Sequence, residues 1–412
     1  MVPDRWTDKA WKVAAWVAAH ALVAFGATQL IGRWTLGDWF QTSAALRFDA
    51  VHYAAIARDG YVPFRQAFFP SLPIVWRATN LDIGGICLFN GIVYLLTTTW
   101  ITCKLRINLK TLLLFLTLPS TIFFFVPYTE SLFFAFSSVI IIGMIDRSVW
   151  MILLGLFLCS VTRPTFTTLL PAVILAIGIS NPSKMARVSL VTLCVLACAL
   201  GLTLVSAIQH AYTGDWFGFY TAQQGWGNKL RWPSLPLGSW GGDDVVRLDA
   251  VALLFGLSSF CMLLRDLTTW IKNPEIPRSP TLVLSIGSLA FVSALVFVLR
   301  GGQLFSLNRF IFCTPFFLVL VSHLTERKTT GGWKPLIVLL FSLQVYFTMF
   351  GSMVHIQNFL KFSLVVGYLL FAVAATSGRL KVQKWAYPVL LIIAFGIQVS
   401  LAVKFLSGGW VA

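Results

Sequence analysis

One run of ionisable and aromatic residues lies between two apolar segments: Leu46-Arg47-Phe48-Asp49-Ala50-Val51-His52-Tyr53-Ala54-Ala55-Ile56-Ala57-Arg58-Asp59-Gly60-Tyr61, followed by Ala67-Phe68-Phe69-Pro70-Ser71-Leu72-Pro73. The flanking segments, 13–31 and 83–103, are apolar and long enough to cross a bilayer. Membrane proteins rarely concentrate ionisable side chains beside the hydrocarbon region without a use for them. The pattern therefore predicts an all-α polytopic membrane protein whose chemistry lies at one membrane face.

The composition supports this class. The chain has 412 residues, of which 58% are hydrophobic and 11% charged, and its mean hydropathy is +0.81. A soluble domain carries about 25% charged residues. The net charge of +16 does not indicate nucleic acid, because many Lys and Arg residues lie in short connectors, where they fix orientation in the lipid bilayer. The seven Cys are scattered through apolar segments and are expected to be small buried hydrophobes.

Hydropathy predicts a single integral membrane domain over 1–412 with about 11–13 transmembrane helices. Its first external loop is 32–82 and its large external loop 212–247. The predicted spans are 13–31, 83–103, 112–126, 131–145, a hairpin over 149–179, 188–211, 248–264, 282–299, 310–324, 336–353, 359–376 and 387–404. The internal segments then hold most of the Lys and Arg, so the N-terminus is expected in the cytoplasm.

The segment 149–179 is too long for one span and short for two ordinary ones. Pro164 biases Arg163 away from helix, and Arg163 would otherwise lie in hydrocarbon. The segment is therefore predicted to be two short helices with Arg163 at the outer turn, where a buried cation needs an anionic partner.

Asp49 lies three residues before His52, so on a helix Asp49, His52 and Tyr53 share one face. Asp49 is then a candidate general base in a partly dry cleft, with His52 and Tyr53 beside it. The alternative is structural: Asp49 pairs with Arg47 or caps a helix that lies on the membrane surface.

Other polar residues have two interpretations each. Glu130, at an outer helix start, is either a catalytic acid or a group that complements the helix dipole. Arg300 and Arg309 flank an external loop, where they either grip a phosphate or extend to the interface. The Trp residues of the large loop, including Trp226, are either interfacial anchors or a platform for a sugar ring.

The first-loop signature of the PIG-V family of mannosyltransferases resembles the run Arg47-Phe48-Asp49-Ala50-x-His52-Tyr53-x-x-Ile56-Ala57-x-x-Gly60-Tyr61, followed by Ala67-Phe68-Phe69-Pro70-x-x-Pro73. That family builds the glycosylphosphatidylinositol anchor in eukaryotes and has bacterial relatives. It usually has Trp where this chain has Phe48. Further runs are similar to family features, the last three of them to bacterial members: Tyr128-Thr129-Glu130-Ser131 with Arg163, Asp215-Trp216, Gln224-Gly225-Trp226-Gly227, and Ser306-Leu307-Asn308-Arg309-Phe310.

The resemblance implies a GT-C glycosyltransferase fold and a polyprenyl-phosphate sugar donor, which is dolichyl-phosphate mannose in the eukaryotic case. It implies transfer with inversion to a lipid or glycan acceptor on the external or lumenal face. Asp49, His52 and Glu130 are the expected catalytic residues. The expected donor- and acceptor-binding residues are Arg47, Tyr53, Tyr61, Arg163, Gln224, Trp226, Arg300, Asn308 and Arg309. The expected location is a bacterial plasma membrane, or the endoplasmic reticulum for a eukaryotic member. A small membrane subunit is a further candidate partner.

Two questions stay open at the sequence level. No cofactor is required, because nothing in the spacing demands a metal, but a divalent cation with Asp49 and Glu130 as oxygen ligands is an alternative. A carrier or flippase for lipid-linked sugars would share the membrane architecture and the external cations. Carriers often show two related halves, and no convincing internal repeat is visible here. A purely structural subunit leaves the first-loop cluster unexplained.

Overall fold

The computed structural model describes residue 7 and residues 9–180, 184–240, 243–273, 278–326, 349–350 and 383–411. Within these ranges the named elements are helices. The α-helices are α1 (Ala10–Leu36), α2 (Asp49–Asp59), α3 (Ser71–Thr79), α4 (Ile83–Leu105), α5 (Leu109–Leu116), α6 (Glu130–Asp146), α7 (Val149–Thr162), α8 (Phe166–Ser180), α9 (Lys184–Thr213), α10 (Gly218–Gly225), α11 (Asp243–Lys272), α12 (Pro280–Leu299), α13 (Leu307–Phe312), α14 (Pro315–Glu326) and α15 (Gln383–Leu406). Short 3-10 helices cover Thr42–Ala45, Arg65–Ala67 and Pro119–Phe124.

Six of these helices are long and apolar enough to cross a membrane, namely α1, α4, α9, α11, α12 and α15. Shorter apolar helices correspond to α7, α8 and α14. The prediction of an all-α polytopic membrane protein is confirmed at this level. The predicted spans at 336–353 and 359–376 lie outside the described residues, so the total of 11–13 spans stays a prediction.

Two predicted spans are not continuous helices. The segment 112–126 contains the end of α5 at Leu116, followed by the 3-10 helix Pro119–Phe124. The segment 310–324 starts inside α13 and breaks before Pro315, where α14 begins. In both places a proline lacks the amide donor and disfavours helix at the residue before it. Hydropathy alone does not register this effect.

α1 and α11 extend furthest beyond their predicted spans. α1 continues past its predicted end to Leu36, where Gly37 adopts a left-handed conformation (φ 79°) and ends it. α11 runs from Asp243 to Lys272, so it includes residues that were assigned to the connectors on both sides of the span. The segment 32–82, which is predicted to be the first external loop, contains α2 and α3.

The predicted hairpin over 149–179 is confirmed. α7 ends at Thr162, Arg163 is extended (φ −155°, ψ 145°), and α8 begins at Phe166. α7 packs closely on α6, because a Cβ at Gly155 would lie 2.5 Å from Cγ1 of Ile140. Since α6 and α7 are sequential neighbours joined by a short turn, the start of α6 and the end of α7 lie at the same end of the bundle.

The remaining packing builds one helical bundle around that pair. α7 also packs on α9, α8 on α12, and α12 on α11, while α1 lies against α4 and α15. The starts of α2 and α6 and the break between α7 and α8 carry Asp49, Glu130 and Arg163, and these three points lie at one end of the bundle. That end holds the site described next.

Candidate functional site

The two carboxylates of the site each begin a helix. Asp49 is the first residue of α2, and Glu130 is the first residue of α6. Helix N-termini favour negative charge. Phe48, just before Asp49, has φ 50° and ψ −119°, which is unusual for a residue with a side chain. Its ring is held edge-on to Trp410, with centroids 4.8 Å apart, and this packing maintains the backbone turn that presents Asp49.

An ion network joins four residues that are far apart in sequence. Nη1 of Arg309 donates to Oδ2 of Asp49 at 2.8 Å, and Nε of Arg309 lies 2.9 Å from Oε1 of Glu130. Nη1 of Arg163 lies 3.0 Å from the same Glu130 oxygen. The side chains of Glu130 and Arg309 are 1% and 7% exposed, whereas that of Asp49 is 19% exposed. Two positive and two negative groups therefore balance one another in a largely dry setting.

Arg309 remains charged in this position. Burial lowers its pKa, but Asp49 and Glu130 outweigh that effect and raise the pKa above its ordinary value. The Cζ atom of Arg309 also lies 5.1 Å from the ring centroid of Tyr128 and 5.4 Å from that of Phe123. Such aromatic faces attract a cation. The guanidinium is thus held by two carboxylates and two rings.

A second buried network fixes the start of α13, which carries Arg309. Oδ1 of Asp249 accepts from both the backbone N and Nδ2 of Asn308, each at 2.8 Å. Ser239 donates to the other Asp249 oxygen, and Oδ1 of Asn308 accepts from Ser120 at 2.9 Å. Asp249 is fully buried in α11. Sequence reasoning missed it, although an acid at the start of the apolar segment 248–264 was itself a signal.

Arg300 adds a further cation near this network. Its Nε donates to Oδ1 of Asn228 at 2.9 Å, its Nη1 donates to the carbonyl of Phe305, and its guanidinium lies over the Phe305 ring at 3.9 Å. Burial lowers the pKa of Arg300 to about 9, and Arg309 acts in the same direction. The group is still charged at neutral pH. Because its partners are an amide and a carbonyl, a bound anion would be a favourable additional partner.

Arg163 also lines a narrow cleft beside the network. The cleft has aromatic walls from Phe133 and Phe310, and the Cζ atom of Arg163 lies 4.9 Å from the Phe310 ring centroid. Four hydroxyl side chains complete its polar lining, those of Thr165, Thr168, Ser288 and Thr314. One cation, several hydroxyls and apolar walls are chemically suited to an anionic group that carries an apolar tail.

His52 belongs to an aromatic cluster on the other side of Asp49. Its ring stacks on Phe68 with centroids 4.7 Å apart, and Trp226 lies edge-on to it at 5.4 Å. Trp226 in turn stacks on Phe64 at 4.3 Å. Burial lowers the pKa of His52, opposed by Asp49, while Arg65 lowers it further. His52 is therefore mainly neutral at pH 7.

The other predicted site residues have local roles. Tyr53 is buried, with its hydroxyl 3.4 Å from Oγ1 of Thr129, next to Glu130. The hydroxyl of Tyr61 donates to the carbonyl of Phe68 at 2.9 Å and so stabilises the first loop. Arg47 is exposed beside Asp49, and Gln224 is exposed on α10. The structure thus brings together Asp49, Glu130, Arg163 and Arg309, with His52, Tyr53 and Asn308 adjacent along their helices.

Asp49 and Glu130 are the two candidate ligands for a divalent cation. In the part of the chain that the structure describes, no group of three or more His, Cys, Asp or Glu is arranged to hold a metal ion. Asp49 and Glu130 both contact Arg309, whose guanidinium lies between them. This arrangement does not fit a cation shared by the two carboxylates, because the guanidinium already pairs with both of them.

Comparisons with known proteins found no match to this chain. No family model matches the chain, and neither a curated protein nor a solved structure matches it.

Proposed function

We propose that this chain is a membrane glycosyltransferase that moves a sugar, with mannose as the expected sugar, from a polyprenyl-phosphate donor to a lipid or glycan acceptor. The transfer occurs with inversion on the external or lumenal face, and the chain has the GT-C architecture of PIG-V-type enzymes. The first-loop resemblance supplies the reaction class. The observation that carries the proposal is the bridge from Arg309 to Asp49 and Glu130 at 2.8 and 2.9 Å.

Asp49 is the best-placed base. It is the more exposed of the two carboxylates, at 19% against 1% for Glu130, so an acceptor can reach it. Its Oδ2 is bound by Arg309, and we assign Oδ1 to the acceptor hydroxyl. Glu130 contacts both Arg309 and Arg163 and is buried, so we assign it the task of positioning these two arginines.

The transfer is a single displacement. Oδ1 of Asp49 takes the proton of the acceptor hydroxyl as its oxygen attacks the anomeric carbon of the donor sugar. The bond from that carbon to the phosphate oxygen breaks, and its electron pair leaves on the phosphate. Arg163 and Arg300 stabilise the negative charge of the departing phosphate. A β-linked donor gives an α-linked product in such a step.

The donor needs an apolar surface for its chain as well as polar groups for its phosphate. The cleft beside Arg163 offers both kinds of surface, because Phe133 and Phe310 line it together with hydroxyl groups. Phosphate at the arginine and the start of the isoprenoid chain against the rings is the arrangement that we propose. The acceptor then approaches from the side of His52 and Trp226, where the aromatic cluster adjoins Asp49.

The test is sugar transfer from radiolabelled polyprenyl-phosphate mannose in membranes that contain wild-type protein or Asp49→Asn. Asp59→Asn is the matched control, since Asp59 lies on the same helix in an exposed pair with Arg58 at 2.8 Å. We expect transfer by the wild type and the control and none by Asp49→Asn at equal abundance. Equal transfer by all three proteins would show that Asp49 is not the base in the reaction.

The carrier hypothesis is separated by the same assay. If the wild type transfers no label from lipid-linked mannose or any other lipid-linked sugar, a carrier or flippase becomes the better-supported function. The ion network favours the enzyme, because it lies at one end of the bundle, where α2 and α6 begin. Carriers instead hold their charged groups near the midplane, between related halves.

A further inference from the structure

A cavity of about 490 Å³ lies among the ends of α11, α12 and α14 that are remote from Asp49. α12 begins at this cavity and ends just before Arg300. At 1.5 Å per residue, its length places the two sites roughly 30 Å apart, at opposite ends of the bundle. The cavity is therefore separate from the site described above, and its volume is in the range of small-ligand pockets.

The polar side of the cavity is rich in cations and hydroxyls. Arg265 and Arg278 line it together with four hydroxyl residues, Thr269, Ser279, Thr281 and Ser322. Among the lining residues that the structure describes, Asp266 is the one carboxylate, and it pairs with Arg265 at 3.0 Å. Two guanidinium groups and one carboxylate give this described part of the lining a positive charge, which favours an anionic ligand.

The N-terminus of α12 contributes to the same lining. Ser279 caps this helix by accepting from the backbone N of Leu282 at 3.4 Å, and Ser279 and Thr281 both face the cavity. The amide groups at the start of a helix and its dipole favour a negatively charged group, phosphate above all. This contribution adds to that of the two arginines.

The other side of the cavity is apolar. Leu105, Leu282, Val283 and Val319 form this wall, and they come from α4, α12 and α14. α4 and α12 are long enough to cross the membrane. A basic pocket with an apolar wall between the ends of membrane helices is the arrangement that binds anionic lipid headgroups.

We infer that this cavity binds a phosphate group, held by Arg265, Arg278 and the start of α12. Its apolar wall suits an anionic phospholipid from the leaflet opposite Asp49. The inference does not depend on the glycosyltransferase proposal, because it concerns the other end of the bundle and needs no turnover.

The experiment measures lipid binding by the purified full-length chain in a neutral detergent. Native mass spectrometry counts retained lipid, and thermal unfolding reports Tm, after addition of phosphatidylglycerol, phosphatidylcholine or inorganic phosphate. We expect phosphatidylglycerol to bind and raise Tm, and phosphatidylcholine not to. The double variant Arg265→Gln/Arg278→Gln should bind phosphatidylglycerol about tenfold more weakly or less. Lys104→Gln is the control, because Lys104 pairs with Asp146 outside the cavity lining.

A second variant keeps the test decisive if the double variant does not fold. Thr269→Phe fills the cavity while both arginines remain, and it should also lose the lipid. A shift with inorganic phosphate but not with phosphatidylglycerol would support the phosphate site with a soluble ligand. Equal binding of the two lipids with no effect of inorganic phosphate, or unchanged binding by the double variant or by Thr269→Phe, would overturn the inference.

Discussion

Arg309 and Asp49 are 260 positions apart in sequence, yet Nη1 of Arg309 donates to Oδ2 of Asp49 at 2.8 Å. The same guanidinium reaches Glu130 through Nε at 2.9 Å. One side chain thereby connects the starts of α2 and α6 with α13. Glu130 is 1% exposed, so the charges that balance it come from Arg309 and Arg163 rather than from solvent.

Arg309→Gln should therefore affect both folding and transfer. Without Arg309, Asp49 loses its cation and Glu130 keeps Arg163 alone, so one buried cation must balance two carboxylates, at a cost of about 3 kcal/mol or more. We expect a clear fall of Tm for the purified protein, and loss of sugar transfer even at a temperature where the variant is folded. Thermal unfolding in detergent and the radiolabel assay measure the two effects.

The control for Arg309→Gln is Lys104→Gln. Lys104 pairs with Asp146 at the same 2.8 Å, but the two side chains are 40% and 38% exposed. Exposed pairs contribute about 0–1 kcal/mol, so the control should change Tm little. A Tm loss of the same size in both variants would mean that the buried Arg309 bridge contributes no more to stability than an exposed ion pair.

Two substitutions of Asp249 should differ in how strongly they affect stability and transfer. In Asp249→Ala, two donors of Asn308 lose their acceptor inside the protein. Each buried donor that is left unsatisfied costs about 1–3 kcal/mol. Asp249→Asn keeps an acceptor oxygen and should be milder. Because Asn308 precedes Arg309, we expect kcat for transfer to fall in Asp249→Ala more than the donor KM changes.

Tm and transfer kinetics of the two Asp249 variants, with Ser239→Ala beside them, test this order. Ser239 donates to Oδ2 of Asp249, whereas Asn308 donates to Oδ1, so loss of Ser239 leaves the Asn308 hydrogen bonds in place and should be the mildest change. If Asp249→Ala and Asp249→Asn have the same Tm and kcat, the hydrogen bonds to Asn308 do not position Arg309.

The sequence predicts some of this site and misses the rest for physical reasons. The break at Arg163 follows from Pro164, and a buried cation there requires an anionic partner. That this partner is Glu130 depends on the antiparallel packing of α6 and α7, which no local pattern contains. The Asp49–Arg309 pair is a tertiary contact of the same kind, between the first loop and α13.

The errors in the fold have similar origins. Hydropathy treats 112–126 as one apolar segment, although Pro119 ends the α-helical hydrogen bonding and a 3-10 helix replaces it. Asp249 was counted as part of an apolar span because one acid hardly changes a window average. Its three hydrogen bonds, to Ser239 and Asn308, are visible only once α11 and α13 are packed together.

His52 predicts a pH dependence of stability. Burial lowers its pKa in the folded protein below the ordinary 6.5, so the folded form binds its proton less readily than the unfolded chain. Stability from this group is fully present above about pH 6.5 and is lost as pH falls toward the folded pKa. We expect the Tm difference between about pH 7.5 and about pH 5.5 to be larger for wild type than for His52→Gln.

The comparison uses differences because other groups also titrate in this range. His52→Gln removes only the contribution of His52, and Asp59→Asn serves as a neutral change on the same helix. An acid sensitivity of His52→Gln equal to that of the wild type would show that His52 takes up its proton equally in both states.

Gly60, which ends α2, carries the last prediction. It has φ 84° and ψ −167°, a backbone conformation that residues with a side chain rarely adopt, and a Cβ there would lie 2.2 Å from Cε1 of Tyr212. Gly60→Ala should destabilise the first loop by about 1–3 kcal/mol through backbone strain. Gly26→Ala is the control, because nothing lies within 4 Å of its added Cβ and Ala favours α1. The double variant Gly60→Ala/Tyr212→Ala separates the two causes, since it removes the clash and keeps the strain. A double variant as stable as Tyr212→Ala alone would mean that the clash, rather than the backbone, requires glycine.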